Sequence, residues 1–241
     1  MCSDLREEIY KNLILRQEKN LFDFTCIERQ PNLNQKMRYI LLDWIIEILR
    51  KFKHPDIEVL FLCGGIIDKC LESKEIIKRN QFQLFGIIAL RIAYKYEENY
   101  DFGFDECVYY CDDAFSKEEC KEVEKKIVLD ILNYNLTFPT SYTFLDIYLD
   151  VDSSNDSVKK LAKYLLEKTL PEYSMLQFKP SILASSVIYF SKKEMSCAPY
   201  WSTNLRKLTN YKARDLNLCI AEMKKIKTID FENLKMEIIM K

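Results

Sequence analysis

Glycine is nearly missing from this chain: of 241 residues, only Gly64, Gly65, Gly86 and Gly103 are glycine. They form neither a GxGxxG nor a GxxxxGK loop, the bare-backbone turns that let phosphates approach closely, so nucleotide-binding enzymes of those types are excluded. Histidine is scarcer still. The single His54, beside Pro55, reads as a turn residue between helices, with no second histidine to complete a zinc site and no nucleophile to activate. Nine cysteines are present, but without any CxxC pair. Their count is odd and their closest spacing is Cys107 to Cys111, which fits scattered buried thiols better than a disulfide framework or a metal cluster. Also lacking is any apolar run near the roughly eighteen residues of a membrane span. The opening MCSDLREEIY carries charges where a secretory signal needs an apolar stretch. Cys2 stands where myristoylation needs glycine, and the chain ends at Lys241 without a CaaX box. The expectation is a protein of the nucleus or cytoplasm, neither secreted nor held at a membrane. Finally, no sign of charge dominates. Lys and Arg number 36 against 37 Asp and Glu, which leaves no general field for drawing in nucleic-acid backbones.

What the chain does have is apolar side chains at helical spacing. Hydrophobic residues make up 48% and charged residues 30%, a composition of folded globular chains rather than of disordered or membrane ones. At this length a chain buries roughly 70% or more of its unfolded surface and needs no staples. Met37, Ile40, Leu41, Trp44, Ile45, Ile48, Leu49 and Phe52 advance by threes and fours, which predicts one amphipathic helix of about four turns. Phe82, Phe85, Ala89, Ile92, Ala93 and Tyr96 repeat the pattern, and residues 84–93 are so nearly all apolar that their helix should be surrounded by others. Ser116 followed by Glu119 is a capping-box pattern, starting a helix that runs toward Leu132. The segment from Asn133 to Thr140, ending in Phe-Pro-Thr, stops that run because the residue before proline avoids the α region. Further helical patterns cover 142–150, 156–170 and 180–193, the last with Pro180 in its first turn and Lys192 and Lys193 at its end. No segment alternates with a period of two. The expected fold is all-α, with a short helix at 4–18 and two helical halves of about a hundred residues each.

Read in order, MRYILLDWIIEI (37–48), IIDKCL (66–71), QLFGIIALRIAYKYEE (83–98) and LNYNLTFPT (132–140) resemble a cyclin box. They are similar to the strings of the mitotic A and B cyclins, and the resemblance continues through LAKYLLEKTLPEYSMLQFKPSILASSVIYFSKK (161–193) to cover residues 4 to about 225. It implies two five-helix folds in tandem. The boundaries it gives are 1–36 for a leading helix and lead-in, 37–138 for the N-terminal box and 139–241 for the C-terminal fold. It also implies a regulatory subunit that binds and activates a cyclin-dependent protein kinase as a heterodimer. Such a subunit has no catalytic residue, metal or cofactor of its own and does not bind nucleic acid or membrane.

The resemblance also assigns residues. Five signature positions of the box match Arg38, Asp68, Ala93, Lys95 and Glu124. Arg38 with Asp68 resembles an internal ion pair of the family, and Ala93 a small packing residue on the central helix. Lys95 and Glu124 resemble the pair that grips the kinase's mobile helix, where lysine donors and carboxylate acceptors can hold backbone groups freed at a helix end. Ile92, Tyr96, Leu5 and Ile9 resemble apolar members of that kinase-facing surface. A reading of these four as core residues also stands. Met37, Ile40, Leu41, Trp44 and Glu47, with Arg79, Phe82 and Gln83, resemble the docking groove that takes Arg-x-Leu peptides of substrates and inhibitors. There an apolar slot receives the leucine and acids receive the arginine.

Two departures stand out. One residue more than in most A or B cyclins lies between Glu124 and Leu132, so assignments are not carried over from Lys125 to Ile131, and another lies between Asp68 and Arg79. Only about 36 residues precede the box, with no long tail bearing an RxxL destruction signal. Arg38 to Leu41 has that spelling but falls inside a helix. This form is expected of a viral or otherwise reduced cyclin, or of a shortened piece of a longer one. Two other classes compete. A scaffold or transcription factor related to transcription factor IIB would want a basic face and usually a zinc ribbon. An all-α enzyme would want a paired acid–base constellation, which one histidine does not supply.

Overall fold

The computed structural model of the chain describes residues 2–52, 56–98 and 102–226, with side chains from residue 5 onward. His54, read above as a turn residue, lies outside the described residues. Eleven α-helices occur and no strand among the described residues, and no helix among them is long and apolar enough to cross a membrane. The chain divides into two compact units. One spans Phe22 to Phe138; the other joins residues up to Leu21 with those from Pro139 on.

In the first unit, helix α2 (Gln35–Leu49) starts where the Asn34 side chain accepts a hydrogen bond from the Met37 N–H at 3.0 Å. Helix α3 (Ile57–Glu72) is capped in the same way by Asp56. Helix α4 (Phe82–Glu97) is the centre: every residue from Leu84 to Tyr94 is buried, as the unbroken apolar run predicts. It packs along α3 and crosses α2 at Gly86, where an added Cβ would lie 2.6 Å from Leu41 Cδ1. A glycine is needed there to let the two helices meet. Helix α5 (Phe104–Tyr110) and helix α6 (Lys117–Lys126) complete the five, α6 opening on the Ser116–Glu119 capping box. Helix α2 ends at Leu49 rather than at Phe52. Phe52 keeps the apolar rhythm for a different purpose, packing with Tyr94 and Phe102 at centroid distances of 5.3 and 5.5 Å. After α6 the backbone does not run on as α-helix toward Leu132. It passes into a π-helical turn, Ile127–Ile131, where the Leu132 N–H donates to the Ile127 carbonyl at 2.9 Å. A π-turn holds one residue more than an α-turn, so the backbone after it leaves the α-helical path.

The second unit has five helices of its own. These are α7 (Ser141–Asp152), α8 (Asp156–Thr169), α9 (Pro180–Glu194), α10 (Thr203–Thr209) and α11 (Asn217–Met223). Helix α9 is the central one, with ten buried residues, and both α7 and α8 pack on it. The leading helix α1 (Cys2–Lys19) belongs to this unit. Its Tyr10 hydroxyl meets the Tyr148 hydroxyl at 3.0 Å, Gln17 Oε1 accepts from the Ser181 N–H at 2.8 Å, and Arg6 pairs with Asp150 at 2.8 Å. Burial pushes the Tyr10 phenol up to about 12, so this link stays neutral at physiological pH. Seven of the eight described cysteines are buried free thiols. Burial pushes Cys111 and Cys219 up to about 12, which makes them packing residues rather than nucleophiles.

Candidate functional site

Arg91 and Lys95 lie four residues apart on α4, hence on one face. The carboxylate of Glu124 on α6 reaches both: Oε1 is 3.2 Å from Lys95 Nζ and Oε2 is 3.5 Å from Arg91 Nε. Helix α6 turns Cys120 and Val123 into the core, which leaves Glu124 at the edge of the packed face, its side chain 17% exposed. Lys125, the next residue, is exposed, and Glu124 is the one that meets Lys95.

The two cations differ in what they can do. The Arg91 side chain is 7% exposed, donates to the Phe102 carbonyl and lies over the Phe104 ring at 4.1 Å. A guanidinium buried this way needs its carboxylate strongly. The Lys95 side chain is 46% exposed, and an ion pair on an exposed lysine is worth only about 0–1 kcal/mol. Glu124 is therefore held by Arg91 while Lys95 is free to exchange it for another acceptor. Burial pushes the neighbouring Cys107 and Cys120 thiols up, so they stay protonated and leave the charges of this corner to the three ionic side chains. Arg91 was missed in the sequence reading. The signal was there: an arginine inside an otherwise apolar run, 84–93, has to find a buried counter-charge.

The other assigned positions fall into distinct places. Arg38 is fully buried and makes a two-point bond to Asp68, Nε to Oδ1 at 2.6 Å and Nη2 to Oδ2 at 2.8 Å, joining α2 to α3. Ala93 is fully buried on α4. Ile92 lies in the core at 5% exposure, and Tyr96, one turn on, is 50% exposed, so of the two it is Tyr96 that presents area beside Lys95. Leu5 and Ile9 are exposed on α1, in the other unit. On α2, Ile40 and Glu47 are exposed, Met37 and Trp44 half-buried and Leu41 buried. Phe82 is buried at the start of α4, with Gln83 and the preceding Arg79 exposed. The Leu41–Gly86 crossing brings these two helices together, with Leu41 beneath the outward residues of α2.

Comparison with known proteins gives one answer for the whole chain. Residues 8–137 match the family described as cyclin, N-terminal domain, and residues 139–235 match cyclin, C-terminal domain. A cyclin-B2-1 of Oryza sativa subsp. japonica is 33% identical over 213 residues, covering 88% of this chain and 50% of that protein. A G2/mitotic-specific cyclin-B of Dictyostelium discoideum is 34% identical over 230 residues, covering 95% and 52%. The chain thus spans about half the length of these relatives. The X-ray structure of a viral cyclin from herpesvirus saimiri superposes with a TM-score of 0.77 over 90% of this chain and 95% of that one, at 21% identity, which is a likeness of fold. With both halves of its sequence matched and the same tandem of five-helix units, the chain belongs to the cyclin family.

Proposed function

We propose that this chain binds a cyclin-dependent protein kinase and activates it, gripping the kinase's mobile helix with Lys95, Glu124 and Tyr96. The observation that carries this reading is a carboxylate fixed by a buried arginine beside a lysine that water can reach. Such a corner offers both an acceptor and a displaceable donor to the unsatisfied backbone groups at a partner helix's end. Holding that helix inward lets the kinase's own Lys–Glu pair form and its activation segment reorder. Moving a kinase from about 1% to 99% active takes a differential affinity of about 5.5 kcal/mol, which one ion pair does not supply. A wide interface, above roughly 2,000 Å² in total, is expected. Ile92 belongs to this reading from beneath that corner, and Leu5 and Ile9 as apolar kinase contacts on the other unit. Co-purification with a panel of cyclin-dependent kinases, followed by histone phosphorylation, tests it. Stimulation of about 100-fold is expected with at least one kinase; no binding across the panel rejects the proposal.

The same chain would recruit Arg-x-Leu substrates and inhibitors through α2 and the start of α4. Half-buried Trp44 with Leu41 and Phe82 supplies an apolar slot, and exposed Glu47 a carboxylate for the arginine. A Trp44→Ala protein should lose about 2 kcal/mol of affinity for an Arg-x-Leu peptide, as anchors of this type do. That is roughly a thirtyfold rise in Kd by fluorescence polarisation. Unchanged binding by the folded variant removes the docking role.

A further inference from the structure

A second surface lies wholly within the unit that contains α1. Between α1, the end of α7 and α10 runs an open groove of about 930 Å³, at the upper end of the range of ligand pockets. Its apolar lining includes Ile14, Leu15, Val151 and Leu208, with Leu15 63% exposed. Tyr10 and Tyr211 also line it, and their hydroxyls are already engaged, with Tyr148 at 3.0 Å and with Ser181 at 2.9 Å. What these two tyrosines have left to offer the groove is ring surface.

Charge around the groove is uneven. Arg6 is neutralised by Asp150, whereas Lys11 and Lys207, also on the lining, have no ion pair among the described residues. One acid, Glu7, sits a turn before Lys11. An apolar trough with two unmatched ammonium groups complements a segment carrying aliphatic side chains and carboxylates. Lysine stems extend the apolar wall while their heads wait for acceptors. On helical spacing, Leu5 and Ile9 point away from the face of α1 that carries Glu7, Lys11 and Ile14, so this surface is separate from the kinase-facing residues proposed above.

We propose that the groove docks an acidic, aliphatic-rich peptide segment of a partner protein, its apolar residues on Ile14, Leu15 and Leu208 and its carboxylates on Lys11 and Lys207. The probe is a display library of random 12-residue peptides, selected on the full chain. Enriched peptides are then synthesised and measured by fluorescence anisotropy. The expected winners combine aliphatic residues with Asp or Glu. They bind at least tenfold more weakly to Leu15→Glu and to the double variant Lys11→Glu/Lys207→Glu, whose changes are all on exposed positions, and equally well to Trp44→Ala. Their affinity falls as salt is raised past 0.1 M, where screening acts over about 10 Å. Four outcomes overturn the proposal: no enrichment, winners without acids, binding indifferent to the charge reversal, or self-association of the chain that Leu15→Glu abolishes, which would make a second copy the occupant.

Discussion

An Asp68→Ala protein is expected to lose about 3–5 kcal/mol of stability in the unit from Phe22 to Phe138, the cost typical of removing one partner from a buried ion pair. The reason lies in the geometry of Arg38. Its side chain has no exposed surface and gives two short parallel hydrogen bonds to one carboxylate. Alanine strips that carboxylate away and leaves a guanidinium that water does not reach. Against a total stability of about 5–15 kcal/mol, this is a large fraction. The chain's two tryptophans make the measurement local: Trp44 is in this unit and Trp201 in the other. In a Trp201→Phe background, fluorescence reports on the first unit alone. With a slope of about 2 kcal/mol per molar urea, the midpoint should fall by about 2 M. Replacing both partners, Arg38→Met with Asp68→Leu, should return most of the loss, since burying two apolar side chains avoids the desolvation of two ions. A midpoint within 0.5 M of the parent for Asp68→Ala would show that the pair is not the anchor between α2 and α3.

The parts of this fold that are legible in the sequence are those with a strong local cause. The apolar run at 84–93 is the buried centre of α4, the Ser116–Glu119 box is a real cap, and Pro180 opens α9. The all-α class follows from the absence of any period-two segment. Helices α5, α10 and α11, seven residues each, were not legible, because two turns are too short to establish a 3.6-residue period. Phe52 extended the apparent helix because packing needs apolar residues in turns as well. The π-turn at Ile127 to Ile131 has no sequence signature of its own. The site was half legible. Lys95 and Glu124 are 29 residues apart, so no periodicity brings them together, and only the likeness to a family paired them. Arg91, by contrast, was visible as a charge in an apolar run, and its partner could be named only once α6 was seen to pass beside α4.

Three substitutions in this corner should separate gripping from folding. Lys95→Ala removes an exposed ammonium whose internal pair contributes about 0–1 kcal/mol, so its unfolding midpoint should barely move. If Lys95 donates to backbone carbonyls of a kinase helix, each such charge-assisted bond is worth about 1.5–3 kcal/mol. The kinase Kd should then rise about 10- to 150-fold by surface plasmon resonance, with histone phosphorylation falling in step at subsaturating concentrations. Glu124→Ala should do both kinds of harm. It takes the acceptor from the interface and the carboxylate from buried Arg91, so affinity and thermal stability drop together. Arg91→Leu distinguishes the two effects. It strips the donor from the buried Phe102 carbonyl and leaves Glu124 with its Lys95 contact, so stability should fall by about 1–3 kcal/mol, while kinase affinity weakens by less than in Glu124→Ala because the carboxylate itself remains. A Lys95→Ala protein that binds and activates its kinase as the parent does would mean that this corner serves only to hold α4 against α6.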